Sequence, residues 1–126
     1  MFNRLTDLER KSFEKRLHRE LMGSAQKCDE LGYWPKAFIA MLTDHGAVDA
    51  CTRVIMPKQL PPGFGRVFEL GHLELSVEAI VVNGPWRILF DDNVIEKANK
   101  RLREYERPDL TRRLDQPLPL PAVAKR

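Results

Sequence analysis

The sequence predicts an all-α fold: a compact orthogonal multi-helix domain with a long N-terminal helix and an irregular, Pro-rich C-terminal tail. Three observations predict it. Apolar residues recur at steps of three and four through residues 6–31 and again from Val94 to Tyr105, the spacing of one helix face. Helix stop and start signals punctuate the chain between, at Gly32, Pro35, Asp44-His45-Gly46 and Asn83-Gly84-Pro85. One run only, residues 73–82, alternates as a strand would, and a lone strand has nothing to pair with.

In chain order, Thr6 and Glu9 have capping-box spacing and open the first helix, in which Phe13, Leu17, Leu21, Ala25 and Cys28 form one stripe. Its other positions, Arg10, Lys11, Glu14, Lys15, Arg16, Arg19 and Glu20, mix both signs and read as a solvated face. Gly23 weakens the centre by about 1 kcal/mol. Pro35 suits the first turn of a second helix, with Phe38, Ile39, Met41 and Leu42 inward and Gly46 as its stop. A third helix over 48–56 presents Val48, Cys51, Val54 and Ile55. The pair has a helix-turn-helix outline, but its second helix offers only Asp49, Thr52 and Arg53 for reading bases, and Asp49 repels phosphate.

Pro57 to Pro62 reads as an extended link, after which Gly63 and Gly65 turn the chain around an inward Phe64. A short helix over 66–70 stops at Gly71. Residues 73–82 support either a strand, through Leu73, Leu75, Val77, Ala79 and Val81, or a helix over 76–82 with Ser76 as N-cap. The helix is favoured, apolar nearly all round and therefore central. Trp86, Ile88 and Phe90 anchor a tight connection, Asp91 caps the last helix, and its apolar stripe runs on to Pro108. Residues 1–107 form one helical domain, and 108–126 a basic Pro/Leu-rich tail of polyproline-like character.

In the middle of the chain, Tyr33-x-Pro35-x-x-Phe38-Ile39, Asp44-His45-Gly46-Ala47, Gly63-Phe64-x-x-Val67-Phe68-Glu69-x-Gly71, Leu73-x-Leu75-Ser76-Val77-Glu78-Ala79 and Trp86-x-x-Leu89-Phe90 followed by Ala98-x-x-x-Leu102 occur in that order. Together these resemble a small, uncharacterised helical domain of bacterial proteins, found alone or appended to larger ones, over residues 32–106. The resemblance implies a bacterial origin and a helical fold, and supplies no activity.

The chemistry-bearing residues are sparse. Cys28 and Cys51 match no zinc or redox spacing and read as small core residues. Gly63, Gly65 and Gly71 miss the dinucleotide fingerprint, and no phosphate loop or nucleophile elbow is present. Glu69, His72, Glu74 and Glu78 could supply ligands or an acid/base pair, but in no established ligand spacing. Glu78 falls inside the apolar helix, where an ionised carboxylate needs a partner, and Arg53, Arg66 or Arg87 would make it a structural ion pair. Asp44, His45 and Cys51 could be written as orienter, base and nucleophile, although Cys51 lies on a buried stripe. Tyr33, Trp34, Phe64 and Trp86 sit at element ends, where partial exposure would let them anchor a partner.

No catalytic residue, metal site or cofactor is expected. Residues 97–126 hold nine Lys or Arg against four Asp or Glu, whereas the first 96 hold twelve against fourteen. The leading expectation is therefore a non-catalytic interaction module that docks on a protein partner or a second copy of itself. Its surface would comprise Lys97, Lys100 and Arg101 of the last helix with Arg112, Arg113, Leu118 and Leu120 of the tail. The alternative is a small nucleic-acid-binding protein using the hairpin 35–56 or the basic last helix. No run approaches the roughly 20 apolar residues of a membrane span, and the N-terminus has no secretory h-region, so a cytoplasmic location and no membrane partner are expected.

Overall fold

A computed structural model of the chain describes residues 5–111. Its regular structure is entirely helical among those residues: α1 (Asp7–Glu30), α2 (Lys36–His45), α3 (Ala47–Ile55), α4 (Pro62–Glu69), α5 (Val77–Asn83) and α6 (Asp92–Glu104). Three 3₁₀ turns, Leu73–Leu75, Arg87–Leu89 and Pro108–Leu110, join or follow them.

The capping box at α1 is present in both directions. Glu9 N–H donates to Thr6 Oγ1 at 3.0 Å, and Thr6 N–H donates to Glu9 Oε1 at 2.9 Å. Helices α1, α4 and α6 end alike: the residue after the C-cap has positive φ, at Gly32 (94°), Gly71 (77°) and Glu106 (61°), and the following N–H reaches back to Cys28, Val67 and Leu102 respectively. This Schellman closure satisfies carbonyls that the helix leaves open. Glycine adopts it freely, whereas Glu106 carries the steric cost of a Cβ. Helices α2 and α3 share Gly46 as their common cap.

The run 73–82 resolves as a 3₁₀ turn followed by α5. Ser76 Oγ accepts the Ala79 N–H at 3.1 Å, which starts the helix where alternation alone would have continued a strand. Helix α5 packs on α6 and α3, with Glu78 to Val82 all buried, so it is the centre of the core.

Three boundaries differ from expectation. Helix α4 begins at Pro62, so Gly63 and Gly65 lie inside a helix and turn nothing. Pro62 presets φ for a first turn and Pro61 holds the extended conformation that precedes a proline. Burial of Phe64 and Val67 on one face then outweighs the low helix propensity of the glycines. Helix α6 ends at Glu104 rather than at Pro108. The stretch from Pro108 is also not wholly irregular: its 3₁₀ turn packs on α6, and the Asn83 side chain donates to the Leu110 carbonyl.

Phe64 packs inward as expected, and Trp86 is buried as well, so neither has the partial exposure that would anchor a partner. Phe64 meets Tyr105 edge-on at 5.0 Å, and Trp86 meets Phe13 edge-on at 5.3 Å with the Arg16 guanidinium over both rings. The Trp86 indole N–H faces the Glu20 carboxylate without reaching hydrogen-bond geometry; burial raises that carboxyl, and the indole with Lys27 pulls it part of the way back. The indole also lies across Gly84, where an added Cβ would come within 2.1 Å of Nε1. Glycine is needed there for space, since its φ of −94° suits any residue.

Urea unfolding of two variants checks this account. Gly84→Ala displaces the Trp86 ring and should lose about 1–3 kcal/mol of stability. Glu106→Gly relieves the left-handed strain and should gain about 1 kcal/mol. A neutral Gly84→Ala would show that Trp86 is not held against the backbone.

Candidate functional site

Five helices, with α3 touching only through Val54, and three connections leave a mostly apolar cavity of about 160 Å³ between them. The C-terminal half of α1 contributes Leu21, Ala25 and Cys28, which its four- and three-residue steps place on one face. Helix α4 adds Phe64 and Val67, and α5 adds Val77 and Ile80. Helix α2 closes the far side with Ala37, Phe38 and Met41, continued by Tyr33 and Pro35. The floor is buried, at Leu21, Ala25, Cys28, Val67 and Ile80, while Ala37 and Pro62 at the mouth are exposed.

The two serine hydroxyls around the cavity are already engaged. Ser24 Oγ donates to the Leu75 carbonyl at 2.8 Å, and Ser76 Oγ caps α5. Burial pushes the Cys28 thiol up, so it stays neutral. Burial likewise raises the Tyr33 hydroxyl, and the Arg66 charge, 5.7 Å over the ring, opposes it. Such a lining recognises shape and apolar surface, and presents no free acid, base or nucleophile.

Glu78 lines one wall, and its carboxylate is paired with Arg101, with Nη1–H donating to Oε2 at 2.7 Å. Both side chains are almost wholly buried. The partner is thus Arg101, and not Arg53, Arg66 or Arg87. The same guanidinium donates to the carbonyls of Val54 (2.9 Å), Gln59 (3.2 Å) and Pro57, binding α6 to the end of α3 and to the link before α4. Burial raises the Glu78 carboxyl, and the Arg101 hydrogen bond and charge bring it part of the way down.

This placement corrects the expected docking surface. Arg101 faces inward with 3% of its surface exposed and cannot meet a partner. Its position was legible: seven residues after Val94 and three after Ala98, it lies on the buried stripe of α6. Lys97 is half-buried and Lys100 exposed. Arg112, Arg113, Leu118 and Leu120 lie outside the described residues.

The other candidate constellations do not assemble. His72 Nδ1 contacts Glu74 Oε2 at 2.8 Å on the surface, Glu69 pairs with Arg66 at 3.5 Å, and Glu78 is buried apart from both. Burial would raise the Glu74 carboxyl, but the His72 hydrogen bond and the charges of His72 and Arg107 hold it below its ordinary value. His45 lies 3.9 Å from Asp49, while Cys51 is fully buried, its thiol pushed far up by desolvation and then by Glu78 and Glu14. Among the described residues no three His, Cys, Asp or Glu side chains could hold a metal together. On α3, Asp49 pairs with Arg53 at 3.2 Å and the Thr52 hydroxyl bonds the Val48 carbonyl at 2.9 Å, so its polar residues are tied within the helix. No described helix is long and apolar enough to cross a membrane.

Comparison with protein-family models, curated proteins and solved structures finds no match to this chain.

Arg101→Ala leaves Glu78 buried without its counter-charge and should cost about 3–5 kcal/mol near neutral pH. A carboxyl whose folded pKa is raised contributes stability below its unfolded value of 4.5 and loses it as pH rises through the folded value. Removing Arg101 raises that value further. Thermal melts of Arg101→Ala should therefore fall more steeply than native between about pH 5 and pH 8; parallel curves would show that Glu78 does not depend on Arg101.

Proposed function

We propose that the chain is a non-catalytic, cytoplasmic docking module that seats an apolar side chain of a protein partner in the cavity bounded by α1, α2, α4 and α5. The cavity itself carries the reading. Its volume of about 160 Å³ is close to that of apolar protein cavities of about 150 Å³ that admit a benzene-sized group. One Phe, Leu or Met side chain fits that space, and a single deeply seated anchor dominates many interfaces. Trp34, exposed between the cavity-lining Tyr33 and Pro35, and Phe68, exposed one turn beyond Phe64, supply aromatic surface on the elements that form the walls. A protein partner suits this surface better than nucleic acid, because its lining is mostly apolar and Ser24, Ser76 and Glu78 are engaged within the chain.

Affinity capture with the native chain, followed by titration of the purified captured protein, tests the reading. Ala37→Trp fills the mouth from an exposed helical position and should leave stability within about 0.5 kcal/mol of native. It should weaken the partner at least about tenfold, equivalent to about 1.4 kcal/mol. Native-like binding by Ala37→Trp, together with loss on reversing Lys97, Lys100 and Arg103, would instead place the interface on the basic face of α6.

A further inference from the structure

Helix α1 carries a second surface, separate from the cavity. Residues 10–19 hold five Lys or Arg and one carboxylate, Glu14. That carboxylate is anchored to α3, where Glu14 Oε2 accepts the Val48 N–H at 3.2 Å and satisfies an orphan donor in the first turn, and it offsets one of the five cations. Lys11, Lys15, His18 and Arg19 share one face at steps of four, three and one, with Glu14 beside them, along a cleft of about 650 Å³ between α1 and the α2–α3 joint. All four are exposed, and none has an ion-pair partner among the described residues. Elsewhere Arg53, Arg66, Arg101 and Arg107 each pair with a carboxylate. Like charges at Lys11, Lys15 and Arg19, each four residues apart, disfavour the helix by about 0.2–0.5 kcal/mol per pair, a cost that a polyanion would remove.

We propose that this cleft grips the sugar–phosphate backbone of duplex nucleic acid without reading its sequence. The three permanent cations extend over about 12 Å of helix, a length along which B-DNA presents about seven negative charges. No Phe, Tyr or Trp side chain lines the cleft and His18 is its one ring, so it offers no run of rings on which the bases of a single strand could stack. The self-paired polar residues of α3 leave nothing for base edges, which accords with contact to phosphate alone. The surface lies apart from the cavity lining, so it stands or falls independently of the docking function.

The test is fluorescence anisotropy of the full chain with a short mixed-sequence duplex between about 50 and about 200 mM salt. Releasing counterions from three phosphates contributes about −2.7 to the slope of log K against log salt, or about a 40-fold loss of affinity across that range. Lys15→Ala should reduce the slope by about 0.9, and the combined Lys11→Ala, Lys15→Ala and Arg19→Ala variant by about 2.7. Alanine at these exposed helical positions preserves the fold, which circular dichroism would verify. Alanine at Lys97, Lys100 and Arg103 should leave the slope at its native value. The proposal fails if the α1 variant keeps the native slope, if the α6 variant loses it instead, or if no duplex binds at the lowest salt. It fails equally if polyglutamate binds and duplex does not, which would make the cleft a site for an acidic protein.

Discussion

The buried pairing of Glu78 with Arg101 is the constraint on which the rest of the architecture depends. Helix α5 is otherwise apolar on nearly every face, so hydrophobic burial alone does not decide its rotation. Its one carboxylate does, because it must meet a cation in the interior. The five-donor guanidinium of Arg101 suits that task, since the donors left over after Glu78 reach the carbonyls of Val54, Pro57 and Gln59. One side chain on α6 thereby fixes α5, the end of α3 and the link leading to α4. Compared with an apolar replacement of the same shape, such a pair contributes little net energy. Its contribution is to determine which way these elements face.

The cavity follows from that arrangement. Helix α4 reaches its place through the link that Arg101 holds, and α5, held by the pairing of Glu78 with Arg101, presents Val77 and Ile80 to the cavity. Helix α2, in which only Leu42 is buried, completes the wall from the outside. Charge is sorted in the same way. Glu78 is buried against Arg101 and Glu14 is tied to the start of α3, while Lys11, Lys15 and Arg19 of α1 remain exposed. The molecule therefore offers an apolar recess and a basic cleft on different faces, and neither needs a reactive side chain.

Much of the fold was legible because local chemistry and tertiary packing agree. Thr6 with Glu9, Ser76 before α5 and the Gly32 and Gly71 stops each act through bonds made within a few residues, which the sequence displays directly. The α4 boundary was obscured because two glycines imitate a turn, and only the burial of Phe64 and Val67 reveals a helix. Arg101 was misplaced because charged residues are seldom buried unless paired. Its stripe position was visible, but its partner lies 23 residues away in sequence. The cavity was not legible at all. It is the volume that the surrounding helices leave unfilled, a property of their relative positions that no spacing encodes.

The central claim is that this unfilled volume is a real apolar receptor, and xenon tests it most directly, because dry apolar cavities of this size take up the gas. Methyl NMR of the native chain under increasing xenon pressure should show saturable shifts at Leu21, Val67 and Ile80, which line the cavity. Val94 and Leu102, in the core but outside the lining, should remain still. Absence of saturable shifts at the lining methyls, or shifts spread evenly over the whole core, would contradict the account.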